Sequence, residues 1–305
     1  MRGAAAIGTT LALAALAAFA GDIEDGYRFY ENRDYARAIN AFRRAAEQGQ
    51  AAAQYKLGLM YRNGQGVAKD YRQAASWYEK AAARGNGFAQ FDLGVMYAEG
   101  QGVARDYQQA ASWFEKAAAQ GYASAQFNLG VMYTEGKGVA RDYGQAVFWY
   151  EKATAQGYAS AQFNLGLMYY NGQGVAQDYQ RALSWYRKAA VQGNAEAQFN
   201  LGVMYYNGRG VALDFKEAVS WYQKAAAQEH TPAQISLGIM YYNGEGVAQD
   251  QVEACKWLIL AGTNGNEVAG KNREIVERKM TPEQIAEAQR RASVWMKTPR
   301  RQHGR

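Results

Sequence analysis

The element Leu-Gly-x-Met-Tyr occurs six times, beginning at Leu57, Leu93, Leu129, Leu165, Leu201 and Leu237, always 36 residues apart and without an insertion. Each copy runs on into a two-glycine loop, an aspartate and a stretch ending in alanines, as in the segment from Asp70 to Asn86. A strict period of this length leaves few folds open. Each unit is one supersecondary element that cannot bury its apolar face alone, so neighbours must stack. The 305 residues therefore read as one array rather than two ordinary globular domains. With 49% hydrophobic residues, the array has enough apolar material for a continuous core.

The second helix of the unit shows in its spacing. Tyr71, Ala74, Ala75, Tyr78, Ala81 and Ala82 fall at helical intervals on one face. Asp70 precedes them at the N-cap position, as do Asp106, Asp142, Asp178, Asp214 and Asp250 in the later copies. Three residues on stand Gln73, Gln109, Gln145, Arg181, Glu217 and Glu253, so five of the six copies carry a side chain suited to the reciprocal capping-box bond. Gly85, Gly121, Gly157 and Gly193 suit a left-handed residue at the helix end. The first helix, Ala52 to Arg62 in the first copy, has two apolar stripes. Ala53, Leu57, Met60 and Tyr61 form one, and Tyr55, Leu59 and the position of Arg62 form the other. A helix apolar on two sides is sandwiched between layers or exposes one stripe for binding. Gly58 lies between the stripes, where a missing side chain lets a neighbouring helix come close.

The glycine-rich loop between the helices invites comparison with a phosphate cradle. A phosphate loop follows a strand, leads straight into a helix and carries a Lys-Ser or Lys-Thr pair. In "NGQGVAKD", Gly64 and Gly66 instead end one helix, and Val67 can tuck back before the Asp70 cap. One ligand also needs only one cradle, whereas this loop recurs in every copy. It reads as a structural joint.

These features resemble the Sel-1-like repeat (SLR) family, relatives of tetratricopeptide repeats with a longer loop between paired helices. The residues that carry the resemblance are A-x-A-Q-F-N-L-G-x-M-Y (Ala123 to Tyr133), G-x-G-V (Gly136 to Val139), D-Y-x-x-A (Asp142 to Ala146) and W-Y-x-K-A (Trp149 to Ala153). It extends over about residues 22–265. The implied fold is all-α: a right-handed α-α superhelical solenoid of paired antiparallel helices. The expected organisation is a signal peptide over residues 1–20, a tetratricopeptide-like pair over 21–50, and six repeats over 51–265. Two capping helices over 266–297 and a disordered tail over 298–305 complete it. Thr281, Pro282 and Gln284 mark the start of the second capping helix.

The first twenty residues differ from the array. Arg2, an apolar run from Ile7 to Phe19, and Ala18-Phe19-Ala20 form the three parts of a secretory leader cleaved after Ala20. The run is short for a membrane span, and no further span follows. The expected destination is therefore a periplasm or the exterior. Cys255 is the single cysteine, so no intramolecular disulfide can form and stability must come from packing. The net charge of +6 is a modest excess that does not require nucleic acid.

A reaction centre is not built six times, so chemistry should sit where the repeat is broken. His230 stands in a turn, where a solvated residue is expected, and His303 in the tail. Two histidines so far apart make no metal site. Cys255 falls where other copies have Ala75, Ala111, Val147, Leu183 and Val219, a small core slot. Ser76, Ser112, Ser184 and Ser220 open no S-x-x-K motif. The tryptophans from Trp77 to Trp257 also recur, beside the apolar stripe, and are expected to pack between repeats. No catalytic residue, cofactor site or metal site is expected. Cysteine-rich relatives in the family have been described as penicillin-binding proteins or β-lactamases, which leaves a hydrolase as the alternative reading. Their disulfide framework cannot form here.

Recognition would use exposed departures. After Leu-Gly-x-Met-Tyr come Arg62, Ala98 and Thr134, then Tyr170, Tyr206 and Tyr242. Three tyrosines in one register would make a ladder with rungs about 10 Å apart. Asn128, Asn164 and Asn200 share a second register. Together they could line a groove for an extended peptide, another protein, or a cell-wall or envelope glycan; packing against the neighbouring repeat is the competing role. The loop positions Gln65, Gln101, Lys137, Gln173, Arg209 and Glu245 are expected to face solvent. The family resemblance implies a non-catalytic scaffold or adaptor in the cell envelope.

Overall fold

A computed structural model describes residues 21–263 and 265–298. The leader expected over 1–20 and the tail beyond Thr298 lie outside the described residues. Among those residues every regular element is a helix. Helical residues 21–31 (α1) are followed by α2 (Tyr35–Glu47), then by the pairs α3 (Ala51–Asn63) with α4 (Tyr71–Ala83) and α5 (Gly87–Glu99) with α6 (Tyr107–Ala119). Next come α7 (Ala123–Glu135) with α8 (Tyr143–Thr154) and α9 (Ala159–Asn171) with α10 (Tyr179–Val191). The last repeats are α11 (Ala195–Asn207) with α12 (Phe215–Ala227) and α13 (Thr231–Asn243) with α14 (Gln251–Ala261). Then follow α15 (Glu267–Glu277) and α16 (Pro282–Lys297). The chain divides into two compact units, Met1–Trp149 and Tyr150–Arg305, the division falling inside α8.

Within each unit adjacent helices pack as pairs, a repeat solenoid of tetratricopeptide type. The pairing is antiparallel. Asp70 N–H donates to the Tyr61 carbonyl at 2.9 Å near the loop, and further along the same two helices Gly58 abuts the Tyr78 ring. A β-carbon on Gly58 would lie 2.3 Å from that ring, so glycine sets how close the pair can come.

The aspartates cap their helices as their position implies. Asp70 Oδ1 accepts from the N–H groups of Arg72 and Gln73 at 2.9 and 3.1 Å. The reciprocal capping-box bond expected from Gln73 and its counterparts has no donor. The N–H of Asp70 already bonds Tyr61, as that of Asp106 bonds Tyr97 and that of Asp214 bonds Tyr205. Closing the long loop takes the proton that the box would need. The full box occurs at Thr281, which no such loop precedes.

The two loop glycines do different work. Gly64, at φ +71°, is the left-handed cap of α3, and its N–H bonds the Met60 carbonyl. Gly66 adds a second positive φ, and a β-carbon there would meet the Tyr35 carbonyl oxygen of the preceding repeat at 2.4 Å. Gly102 against Tyr71 and Gly246 against Phe215 repeat the approach at 2.2 and 2.3 Å. The loop is thus a joint between repeats as well as a turn within one.

The core clusters form across repeat boundaries, where the second helix of one pair meets the first helix of the next. Ala74, Tyr78 and Ala81 of α4 pack with Ala89, Leu93 and Met96 of α5, and Trp113 of α6 lies against that cluster. Trp77 does the same for the cluster of α2 and α3, and Trp257 for that of α12 and α13. The tryptophans are inter-repeat wedges, and over Trp77, Trp113, Trp185 and Trp221 sits the lysine three residues on, 4.0 Å for Lys80 on Trp77 and 3.7 Å for Lys224 on Trp221. At the other end Val276 of α15 and Ala288 of α16 cover Ala254, Cys255 and Leu258 of α14.

Candidate protein-interaction face

The first helix of each pair buries one of its two apolar stripes and leaves the other half-covered. Ala53, Leu57 and Met60 are fully buried, whereas Tyr55 and Leu59 on the other side are only half-buried. In the second unit the half-covered stripe runs through Phe163, Leu167 and Tyr170, then Phe199, Val203 and Tyr206, then Ile235, Ile239 and Tyr242, with Ile239 exposed. Apolar side chains in this state on helix after helix are a ready contact surface for another chain.

The three tyrosines are held as well as presented. Tyr170 stands edge-on to Tyr179 at 5.2 Å, and Tyr206 lies 5.2 Å from Phe215. Their hydroxyls meet the loop of the next repeat: Arg209 donates to Tyr170, and Tyr206 donates to Glu245 Oε2 at 3.1 Å. Lys279 lies 5.1 Å from the Tyr242 ring centroid. The loop positions Arg209 and Glu245, expected to face only solvent, are latches, because a loop that abuts the preceding repeat brings its middle residue over that repeat's tyrosine. Tyr170, Tyr206 and Tyr242 are part-buried.

The asparagines make local hydrogen bonds. Asn128 donates to the Ser124 carbonyl at 2.8 Å and Asn200 to the Glu196 carbonyl at 2.9 Å, each on its own helix. Asn164 donates to the Tyr150 hydroxyl at 3.1 Å. Asn128 belongs to the first unit and Asn164 and Asn200 to the second.

The first unit carries a charge pair in these registers. Arg62, in the register of Tyr170, bonds Asp92 Oδ1, in the register of Asn164, at 3.1 Å. Burial holds the Asp92 carboxyl above its usual range, and Arg62 opposes this without cancelling it. A carboxyl raised in the folded state contributes its stability in full below its unfolded pKa and loses it as pH rises through the folded value. Asp92→Asn, which brings in the residue found at Asn128, Asn164 and Asn200, is therefore expected to stabilise the chain by about 1 kcal/mol at pH 7, the size of one net hydrogen bond. The gain should shrink towards pH 4 in urea unfolding, and a variant less stable than wild type at pH 7 would mean that the ion pair outweighs burial.

Cys255 and His230 are each held by their own surroundings. Cys255 is fully buried, its Sγ 3.8 Å from Glu277 Oε1, and burial with that carboxylate pushes the thiol up to about 12. It is thiol, not thiolate, at neutral pH. His230 is not the solvated turn residue expected. Its Nδ1 accepts from Ala233 N–H at 3.2 Å, capping α13, Nε2 lies 3.1 Å from Glu196, and the ring packs 4.9 Å from Phe199. The two residues face different carboxylates, and among the described residues no group of three or more His, Cys, Asp or Glu could hold a metal ion.

One feature of the array escaped the sequence reading. Gln54, Gln90, Gln126, Gln162, Gln198 and Gln234 are buried. Gln90 donates to the Ala82 carbonyl at 3.1 Å, tying the first helix of one repeat to the end of the repeat before it. A polar residue beside the buried alanine in every copy of A-x-A-Q was the available signal.

The family model of the Sel1 repeat matches the chain seven times, over residues 11–50, 51–86, 87–122, 123–158, 159–194, 195–230 and 231–266. The first match takes in residues 11–20, within the stretch that reads as a leader. The chain is similar to a protective antigen of uropathogenic Escherichia coli strains displaying an SLR fold, at 34% identity and TM-score 0.62, over 91% of this chain and 68% of that one. It is also similar to a Sel1 repeat protein from Oxalobacter formigenes, at 32% identity and TM-score 0.72, over 80% and 98%. None of the curated proteins compared with it matches.

Proposed function

The chain belongs to the Sel1 repeat family, and on that premise we propose that it is an exported, non-catalytic scaffold or adaptor that holds protein partners on its half-covered helix face. The observation that carries this is the apolar row of the second unit, in which Tyr170, Tyr206 and Tyr242 are fixed by their neighbours yet remain part-exposed. Aromatic side chains already ordered lose little entropy on binding, and they are the residue type that dominates contact energy in interfaces. An extended peptide laid along the row is the partner geometry, with an envelope glycan as a second ligand class and nucleic acid as none.

The leader pattern supports export, and similarity to a protective antigen fits an exported setting. No described helix is long and apolar enough to cross a membrane. The structural engagement of Cys255 and His230 supports a non-catalytic role, and no turnover of nitrocefin is expected. The test is capture of envelope proteins by residues 21–305, compared with a variant carrying Tyr170→Ala, Tyr206→Ala and Tyr242→Ala. Capture should fall at least about tenfold, since one central aromatic anchor alone is worth about 2 kcal/mol, with helical circular dichroism retained. Undiminished capture by a helical variant would remove the face from the account.

A further inference from the structure

One register of the array is broken in the first unit. At the end of α6, the amide of Gln120 bridges two acceptors of the preceding repeat, the Gly85 carbonyl at 3.1 Å and Gln90 Oε1 at 2.8 Å. Gln192 and Gln228 reach Gln162 and Gln198 in the same way, at 2.8 and 2.9 Å. One repeat earlier the register holds Arg84. Its guanidinium lies against Gly49, where a β-carbon would meet Nη2 at 2.7 Å, and it has no hydrogen-bond or ion-pair partner among the described residues. Gln54 still donates to the Ala46 carbonyl at 3.0 Å, but its Oε1 is left without a donor although the residue is only 4% exposed.

The break coincides with a groove of about 650 Å³ formed by α2, α3 and α4, whose walls include Glu47, Gly49, Gln54, Trp77, Lys80 and Arg84. The Lys80 ammonium lies 4.0 Å from the Trp77 ring centroid, and Glu47 has no ion-pair partner among the described residues. The groove wall therefore carries two cations, a carboxylate and an orphaned amide oxygen. A lone anion would satisfy Arg84 and Lys80 but give Gln54 no donor and confront Glu47. A lone cation would do the reverse.

We propose that this groove binds an α-amino-acid head group, an ammonium and a carboxylate on one carbon. The carboxylate meets Arg84 and Lys80, and the ammonium donates to Gln54 Oε1 and Glu47. Charge-assisted hydrogen bonds of this kind are the strong ones, and an orphaned acceptor gains most from a donor.

The test is an NMR titration of the ¹⁵N-labelled chain, following the Gln54 side-chain amide and the Arg84 Nε–H. L-Alanine is the zwitterionic probe, with acetate and ethylammonium as its two halves. L-Alanine should give saturable shifts at both groups, and each half should bind about 10- to 100-fold more weakly, the equivalent of one lost charge-assisted hydrogen bond. Arg84→Gln should abolish the response and raise the unfolding midpoint, because the new amide can reach Gln54 as Gln120 reaches Gln90. Glu47→Gln, at an exposed position, should weaken binding about tenfold and serves if the first variant does not fold. Acetate binding as tightly as L-alanine, no saturation below about 10 mM, or binding indifferent to both substitutions would overturn the proposal. Tyr170, Tyr206 and Tyr242 lie in the second unit, so partner capture should survive Arg84→Gln, and either idea can fail without the other.

Discussion

Gly102→Ala is expected to destabilise the first unit by about 2–5 kcal/mol. Two costs combine. Gly102 has φ +70°, and holding an L-residue in that left-handed region costs roughly 1–2 kcal/mol. The added β-carbon would also lie 2.2 Å from the Tyr71 carbonyl oxygen and 2.4 Å from its carbon, which are backbone atoms at the start of α4 and cannot swing aside. Overpacking of this kind costs about 1–3 kcal/mol more. Gly121→Ala separates the two, because Gly121 has φ +90° but nothing within 4 Å of a new methyl group. It should cost only the backbone part. Urea unfolding of both variants is the measurement, and equal losses would show that the close approach between repeats is not what demands glycine in the loop.

Tyr186→Ala is expected to cost about 3–5 kcal/mol, the range for removing a large aromatic side chain from a core. The ring is fully buried, lies 5.7 Å from Phe163, and fits against Gly166, where a β-carbon would come within 2.7 Å. Its hydroxyl contributes nothing comparable. Among the described residues it has no hydrogen-bond partner, and burial raises its pKa. Tyr186→Phe should therefore be neutral or stabilising by about 1 kcal/mol, as Phe114 already fills this register in the first unit. Thermal unfolding decides; a phenylalanine variant as unstable as the alanine one would assign the hydroxyl a role that its surroundings do not reveal.

The helices, their aspartate caps and the buried stripe were legible because each depends on spacing within one repeat. Asp70, Leu57 and Gly85 declare their roles to the residues beside them, and the period multiplies the signal. What was not legible depends on where the long loop and its neighbours fall once the chain is folded. Gln73 looks like a capping-box partner until the Asp70 N–H is seen to close the loop onto Tyr61. Arg209 and Glu245 look like solvent-facing loop residues until the loop is seen lying against the previous repeat, over Tyr170 and Tyr206. His230 reads as a turn residue because histidine seldom caps a helix, and its ring is placed by Phe199 and Glu196 of α11 in the preceding repeat. The candidate site was visible as a row of tyrosines. Its division between held and offered surface was not, since that is decided by the next repeat's loop.

The seam at the second loop glycine reaches back one repeat and no further. Gly102 meets Tyr71, and Gly138 meets Tyr107 in the same manner. Excising residues 87–122 would bring Gly138 to Tyr71 and recreate a junction the molecule already contains. A gene encoding such a chain can lengthen or shorten by whole units without inventing a new contact, so the span of the half-covered helix face is an evolvable dimension, adjustable by duplication while every seam stays the same.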